Sequence, residues 1–294
     1  MSILEAVLQG IIQGITEFVP VSSDGHLSLF QHFFGLSGEG SLFFTVMLHA
    51  GTLLAVFICY WKEIWTIISE FCVMLWQIVT KKFDRKKMTD GQLEGCMILV
   101  TLIPLLAFYF VNDWFTMLAE DSDIIVEGLC FMFTGTMLLL ADRAPKGTKK
   151  IREMKISDAL IIGVLQGFAA LPGVSRSGST ISIGLLLGFE AEFMGSFSFI
   201  MGVPAILGAN VFELYDAVKA GIDIETTPLL VGIAVSAVVG FAAVKLVSWL
   251  VKKNKFAIFG YYTEALGVIT LILGIAEKVT GMNAVQLFSL VKGA

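Results

Sequence analysis

Charge is what this sequence has least of. Only 15% of its 294 residues are Asp, Glu, Lys or Arg, against 56% hydrophobic, and the mean hydropathy is +0.83. A soluble domain carries about a quarter charged residues. The shortfall, together with long apolar blocks, excludes an ordinary soluble globule and puts the chain among membrane proteins. There is no basic stripe and no aromatic–basic interleaving, so nucleic acid is excluded as a partner. No C-x-x-C pair occurs: Cys59, Cys72, Cys96 and Cys130 are scattered through apolar stretches and read as packing residues, not as a disulfide or metal set. The beginning of the chain carries Glu5, no basic n-region and no small-residue cleavage site, which argues against a removable signal peptide.

What is present is a set of apolar runs long enough to cross a bilayer, which takes about 20 helical residues. Six are placed near residues 41–61, 93–111, 124–141, 190–215, 228–251 and 257–277. Basic residues fill alternate loops: Lys81, Lys82, Arg85, Lys86 and Lys87; then Arg143, Lys146, Lys149, Lys150, Arg152 and Lys155; then Lys252, Lys253 and Lys255. The loops between are acidic, with Asp113, Glu120, Asp121 and Asp123 in one and Asp216, Asp223 and Glu225 in the other. The positive-inside rule puts the basic loops in the cytoplasm and both termini outside. Residues 64–79 read as an amphipathic helix at the cytoplasmic interface. Trp61, Trp65, Trp76 and Trp114 read as anchors at span ends.

Two stretches, 2–35 and 156–188, are apolar but broken by Gly, Pro and Ser, a pattern that suits re-entrant hairpins. They overlay without gaps. Identical pairs are Ile3/Ile156, Ala6/Ala159, Gly10/Gly163, Gln13/Gln166, Gly14/Gly167, Val21/Val174, Ser22/Ser175, Gly25/Gly178 and Gly35/Gly188. Shared hydrophobicity does not explain matched Gly, Gln and Ser, so the chain is read as a duplication. Three spans follow each copy, and an odd number inverts the second copy. The expected fold is an all-α integral membrane protein: six transmembrane helices plus two re-entrant helical hairpins in an inverted-topology repeat. Residues 1–142 form the first unit and 156–294 the second, within one membrane domain. Such repeats place their site near the midplane.

The costly polar residues lie inside the two copies. The first supplies Gln13, Glu17, Ser22, Ser23, Asp24 and His26; the second supplies Gln166, Ser175, Arg176, Ser177, Ser179 and Thr180. Ionisable groups inside membrane segments point to function by default. Gln13 and Glu17, four apart, share a helical face. In PGVSRSGST, the backbone N–H groups of a Gly-rich turn entering a helix can cradle an anion, and Arg176 adds a bidentate fork for phosphate. The competing reading is a structural ion pair between Glu17 and Arg176. In that reading the serines merely satisfy broken backbone; the convergence of Glu, His, Arg and five serines in the matched motifs weighs against it. His49, inside the first span, is read as a packed, hydrogen-bonded histidine, with a role at the rim of the site as the alternative. His32, among Phe30, Phe33 and Phe34, reads as interfacial.

QGITEFVPVSSDGH followed by LPGVSRSGST resembles the bacterial undecaprenyl-pyrophosphate phosphatase family of the bacitracin-resistance type. That family is marked by (E/Q)xxxE running into PVSS-x-GH and by PGxSRSxxT. The resemblance implies hydrolysis of undecaprenyl pyrophosphate to the monophosphate, which recycles the lipid carrier for cell-wall synthesis in a bacterial plasma membrane. It also implies a homodimer, a supporting divalent cation, and a site open to the outer face. Carried onto matching positions, its functional residues are Gln13, Glu17, Ser22, Ser23, His26, Ser175, Arg176, Ser177 and Thr180. Two positions depart: Gln13 stands where many members have Glu, and Asp24 where Thr is common.

The expected mechanism has Arg176 and the turn's N–H groups, Gly178 among them, holding the pyrophosphate. Glu17 with Asp24 binds Mg²⁺ or Ca²⁺, because hard cations take oxygen ligands. His26 is the general acid or base. The attacking oxygen is left open between Ser23 and water. The other reading is a transporter or flippase for a polyprenyl phosphate lipid, since inverted repeats with broken helices are also a transporter pattern.

Overall fold

The computed structural model describes residues 1–36, 39–109, 124–221, 225–252 and 255–283. The acidic loop expected at 113–123, together with Asp223, Trp114 and Lys253, lies outside them. Among the described residues every regular element is helical, apart from one isolated bridge between Lys149 and Phe189. The α-helices are α1 (Ile3–Thr16), α2 (Ser23–Phe34), α3 (Glu39–Cys59), α4 (Trp61–Val79), α5 (Asp90–Tyr109) and α6 (Ile125–Arg143). They continue with α7 (Ile156–Phe168), α8 (Arg176–Leu186), α9 (Ala191–Ala220), α10 (Thr226–Lys252) and α11 (Ala257–Thr280).

Long apolar runs with few charges make the long helices. Among the described residues α5, α6, α9, α10 and α11 are each long and apolar enough to span a bilayer, and α3 joins them if it is counted with α4, from which it is bent by 84°. These are the six regions expected from hydropathy. Beyond the bend, α4 buries Ile64, Ile67 and Met74 on one side and exposes Trp61, Trp65 and Trp76 on the other.

The remaining four helices are short. At ~1.5 Å per residue, α1 with its 14 residues is roughly 21 Å long, less than the ~30 Å hydrocarbon core. α2, α7 and α8 are shorter still. Glycines let them sit tightly on the long helices. A β-carbon at Gly14 would come within 2.9 Å of the α10 backbone, at Gly240 N and Ser236 O. The matching Gly167 lies against Phe108 of α5, as Gly163 lies against Thr101. α1 therefore packs on α10, and α7 on α5. The most extensive helix contact among the described residues is that of α6 with α11, where Gly128, Gly135, Gly260, Gly267 and Gly274 bring the two backbones together. Small residues serve this purpose where no water drives helices together. Asp142, at the end of α6, accepts from the amides of Phe256 and Ala257 at the start of α11, both at 3.0 Å.

Candidate active site

Two turns built from the matched stretches meet head to head. The first runs from Glu17 at the end of α1 through Pro20 to Ser22, which caps α2. The second runs from Ala169 after α7 through Gly173 to Ser175, which caps α8. Each capping serine bonds the amide three residues on: Gly25 N–H to Ser22 Oγ at 3.3 Å, and Gly178 N–H to Ser175 Oγ at 3.0 Å. This is ordinary N-cap chemistry. Ser22 does more, because its Oγ also accepts from Gly173 N–H at 3.0 Å and so ties the turns together. That reach comes with a backbone φ of 71°, in the left-handed region that costs a residue bearing a β-carbon. Gly173, at φ 98°, is where such a backbone is free of cost. Thr134 of α6 holds the second turn from outside, donating to Gly173 O and accepting from Ser175 N–H, each at 2.9 Å.

Glu17 is the hub. Its side chain is only 5% exposed. Oε1 takes Arg176 Nη2 at 2.5 Å, and Oε2 takes the Ser23 hydroxyl at 2.7 Å and the Gln13 amide at 3.0 Å. The second guanidinium arm donates to Ser198 O at 3.2 Å. Ser198 Oγ meets Thr180 Oγ at 2.7 Å, and Thr180 in turn donates to Arg176 O at 2.8 Å. A carboxylate buried in a protein interior requires this much compensation.

Of the first-motif residues Glu17 and His26, Glu17 alone bonds Arg176. His26 turns the other way. Its Nδ1 is 2.6 Å from Ser22 O, and its Nε2 is 2.8 Å from the Tyr262 hydroxyl, with the Tyr262 ring stacked alongside. A carbonyl only accepts, so Nδ1 carries the hydrogen and Nε2 accepts from Tyr262. The histidine that reaches the hub is His49, with Nε2 at 3.4 Å from Glu17 Oε2 and also 3.4 Å from Asp24 Oδ1. His49, Ser198, Thr134 and Tyr262 come from the long helices α3, α9, α6 and α11, outside the repeated motifs. An ionisable residue in a span was the one sequence signal for His49. Nothing marked the other three.

The anion cradle is narrower than the sequence suggested. The amides of Ser175, Gly178 and Ser179 are already bonded to Thr134 Oγ1, Ser175 Oγ and Ser175 O. The first-turn amides of Arg176 and Ser177 remain, since the opening N–H groups of a helix have no partner within it. Ser177 Oγ lies 3.4 Å from Ser175 Oγ. No group of three or more His, Cys, Asp or Glu side chains among the described residues is arranged to hold a metal ion. Two buried oxygens nevertheless accept no hydrogen bond, Gln13 Oε1 and Asp24 Oδ1, both next to the Glu17 carboxylate. Oxygen donors of this kind fit Mg²⁺ or Ca²⁺ and not a soft metal.

A family profile described as bacitracin resistance protein BacA matches residues 6–269, a range that contains every residue of this site. An undecaprenyl-diphosphatase of Alkaliphilus metalliredigens is 40% identical over 94% of this chain and all of its own length. Proteins of the same name from Carboxydothermus hydrogenoformans and Desulforapulum autotrophicum are 37% and 36% identical, over 95% and 93% of this chain and 100% and 99% of theirs. The chain is thus a multi-pass membrane protein that belongs to the bacitracin resistance protein BacA family.

Proposed function

We propose that this protein hydrolyses undecaprenyl pyrophosphate to undecaprenyl phosphate and inorganic phosphate, recycling a lipid carrier of cell-wall synthesis. The observation that carries the reading is the meeting of Arg176 with Glu17 across the two turns, with the Ser23 hydroxyl already donating to the same carboxylate. A guanidinium suits a pyrophosphate, and a hydroxyl bonded to a carboxylate is a nucleophile beside its base. Ser23 Oγ attacks the terminal phosphorus as Glu17 takes its proton, and the anhydride P–O bond breaks to release undecaprenyl phosphate from a phosphoserine. Arg176, with the first-turn amides of α8, holds the charge that grows on the phosphoryl oxygens. Ser175 caps the helix on that side with Ser177 beside it, and Thr180, bonded to Arg176 O, holds the arginine in place. His26 Nε2 accepts from the Tyr262 hydroxyl, so a water that releases the phosphate can pass its proton to Tyr262 as Tyr262 passes its own to His26. Glu17, Asp24 and Gln13 would hold a divalent cation, which when bound supplies charge neutralisation for the phosphate oxygens.

The pairing of α1 with α10 and of α7 with α5, made through matched glycines, supports an inverted repeat of two re-entrant hairpins. With the basic loops inside, both termini and the mouth of the site face outward, where a lipid pyrophosphate would enter from the outer leaflet. A homodimer is the expected assembly. A flippase is not favoured, because the relatives carry the name of a hydrolase. The test is phosphate release from undecaprenyl pyrophosphate by purified protein in detergent, which needs no second compartment. Release that EDTA abolishes supports the reading, and silence in the presence of Mg²⁺ and Ca²⁺ rejects it.

A further inference from the structure

We propose that Gln166 and the first turn of α8 form the binding site for one phosphate of the substrate, at the place that the Glu17 carboxylate fills in the first hairpin. The two hairpins keep one register. α1 and α7 start at the matched Ile3 and Ile156, α2 and α8 start at the matched positions of Ser23 and Arg176, and a matched serine caps each second helix. In the first hairpin a single oxygen, Glu17 Oε2, accepts from Gln13 Nε2 and from the Ser23 hydroxyl. The Gln13 side chain therefore faces the first residue of α2. By the same register Gln166 faces Arg176, the first residue of α8. The residue matched to Glu17 is Ala170, which is exposed and offers no side-chain acceptor.

Between Asp158 and Glu190 the chain has no acidic residue, so the second hairpin carries no carboxylate for its glutamine. Gln166 is only 5% exposed, and neither its Nε2 nor its Oε1 has a hydrogen-bond partner among the described residues. A carboxamide can be turned end for end, but here both ends are empty, so a buried donor is free in either orientation. Native interiors rarely leave such a group unmade, and a ligand or an ordered water then completes it. The first-turn amides of Arg176 and Ser177 beside it also have no partner within the helix. Their N–H groups point out of the N-terminus of α8, whose dipole favours negative charge. Three donors thus surround a gap where the other hairpin keeps an anion, and a phosphate group fits it. Arg176 belongs to both halves of the site, its amide to this cradle and its guanidinium to Glu17.

This site rests on the hydrolase reading above, so its test measures binding apart from turnover. Methylenediphosphonate, a pyrophosphate analogue with no anhydride bond, is titrated into detergent-purified wild type, Gln166→Leu and Ala170→Glu in the presence of Mg²⁺. The rise in Tm with concentration gives an apparent Kd. Phosphate release from undecaprenyl pyrophosphate by the same samples gives KM and kcat. Gln166→Leu is expected to weaken the analogue by about 10- to 100-fold, the share of one hydrogen bond to a charged group. KM should rise by a similar factor while kcat stays within about threefold. The Tm of this variant without ligand should equal or exceed that of wild type, because an unmade buried carboxamide gives way to an apolar side chain of similar size. A glutamine that serves the fold alone would do the opposite, lowering the ligand-free Tm and leaving Kd unchanged. Ala170→Glu restores the carboxylate of the first hairpin, and should keep the ligand-free Tm but exclude the analogue. Should Gln166→Leu fail to fold, Ala170→Glu, at an exposed position, carries the test. Analogue binding as tight as wild type in either variant, or a wild type that the analogue does not stabilise, would overturn the site. A wild type that binds the analogue but releases no phosphate would instead sink the hydrolase reading and leave this site standing.

Discussion

Arg176 has one guanidinium arm on the Glu17 carboxylate and the other on Ser198 O, so its replacement by alanine acts in two separable ways. The first is on stability. Glu17 is almost fully enclosed, and removing one member of a buried ion pair costs about 3–5 kcal/mol. His49 still faces the carboxylate, which puts the expected loss at the lower end of that range. The second is on rate. One preorganised donor aimed at developing charge is worth about 10²- to 10³-fold, and a guanidinium offers two. Arg176→Ala should therefore lose three or more powers of ten in phosphate release, measured on detergent-purified protein at saturating lipid. Arg176→Lys keeps a charge but not the planar fork, and should recover only part. The two effects are separated by Glu17→Gln in the Arg176→Ala background: it removes the stranded charge, so thermal stability returns while activity does not. Turnover by Arg176→Ala within about tenfold of wild type would show that the phosphate is held elsewhere.

The Ser23 hydroxyl donates to Glu17, so Ser23→Ala should abolish a phosphoenzyme trapped by acid quench; a trapped species in that variant would return the attack to water. Tyr262→Phe keeps the stacked ring but loses the bond to His26 Nε2, and should lower kcat by about tenfold at unchanged KM, a typical share of acid–base catalysis; an unchanged kcat would free His26 of any dependence on Tyr262. Gly14→Val should lower thermal stability by about 1–3 kcal/mol, because the new β-carbon would meet the α10 backbone; wild-type stability would mean that α1 and α10 part easily. Ser22→Ala should cut activity more than Ser175→Ala, since Ser22 Oγ alone holds both turns; equal effects would count against that role.

Hydropathy located the long helices because the membrane demands a run of apolar residues whatever packs beside it, and the bend between α3 and α4 fell where the apolar run meets Trp61 and Lys62. The matched motifs located the two turns, because Gly, Pro and Ser serve where backbone leaves a helix. What the motifs could not carry was direction. Glu17, Ser23 and His26 lie within one short stretch, yet Ser22 takes a left-handed φ and launches α2 so that His26 faces α11 instead of the hub. That choice depends on Gly173, far along the chain. His49 and Ser198 were hidden for a related reason. A polar residue in a span signals only that something must satisfy it, and its partner is set by how helices distant in sequence come together.

The separation of 159 residues between Glu17 and Arg176 has a consequence during synthesis. At about 5–20 residues per second, the arginine leaves the ribosome roughly 8–30 s after the glutamate. For that interval the nascent first half must keep an acid at or in the bilayer without its main counter-ion. Gln13, Ser23 and His49 are all made early and can bond it meanwhile. A chain lacking these early partners would be expected to show its defect first as slow or incomplete insertion of α1 and α2, before any mature protein could be assayed.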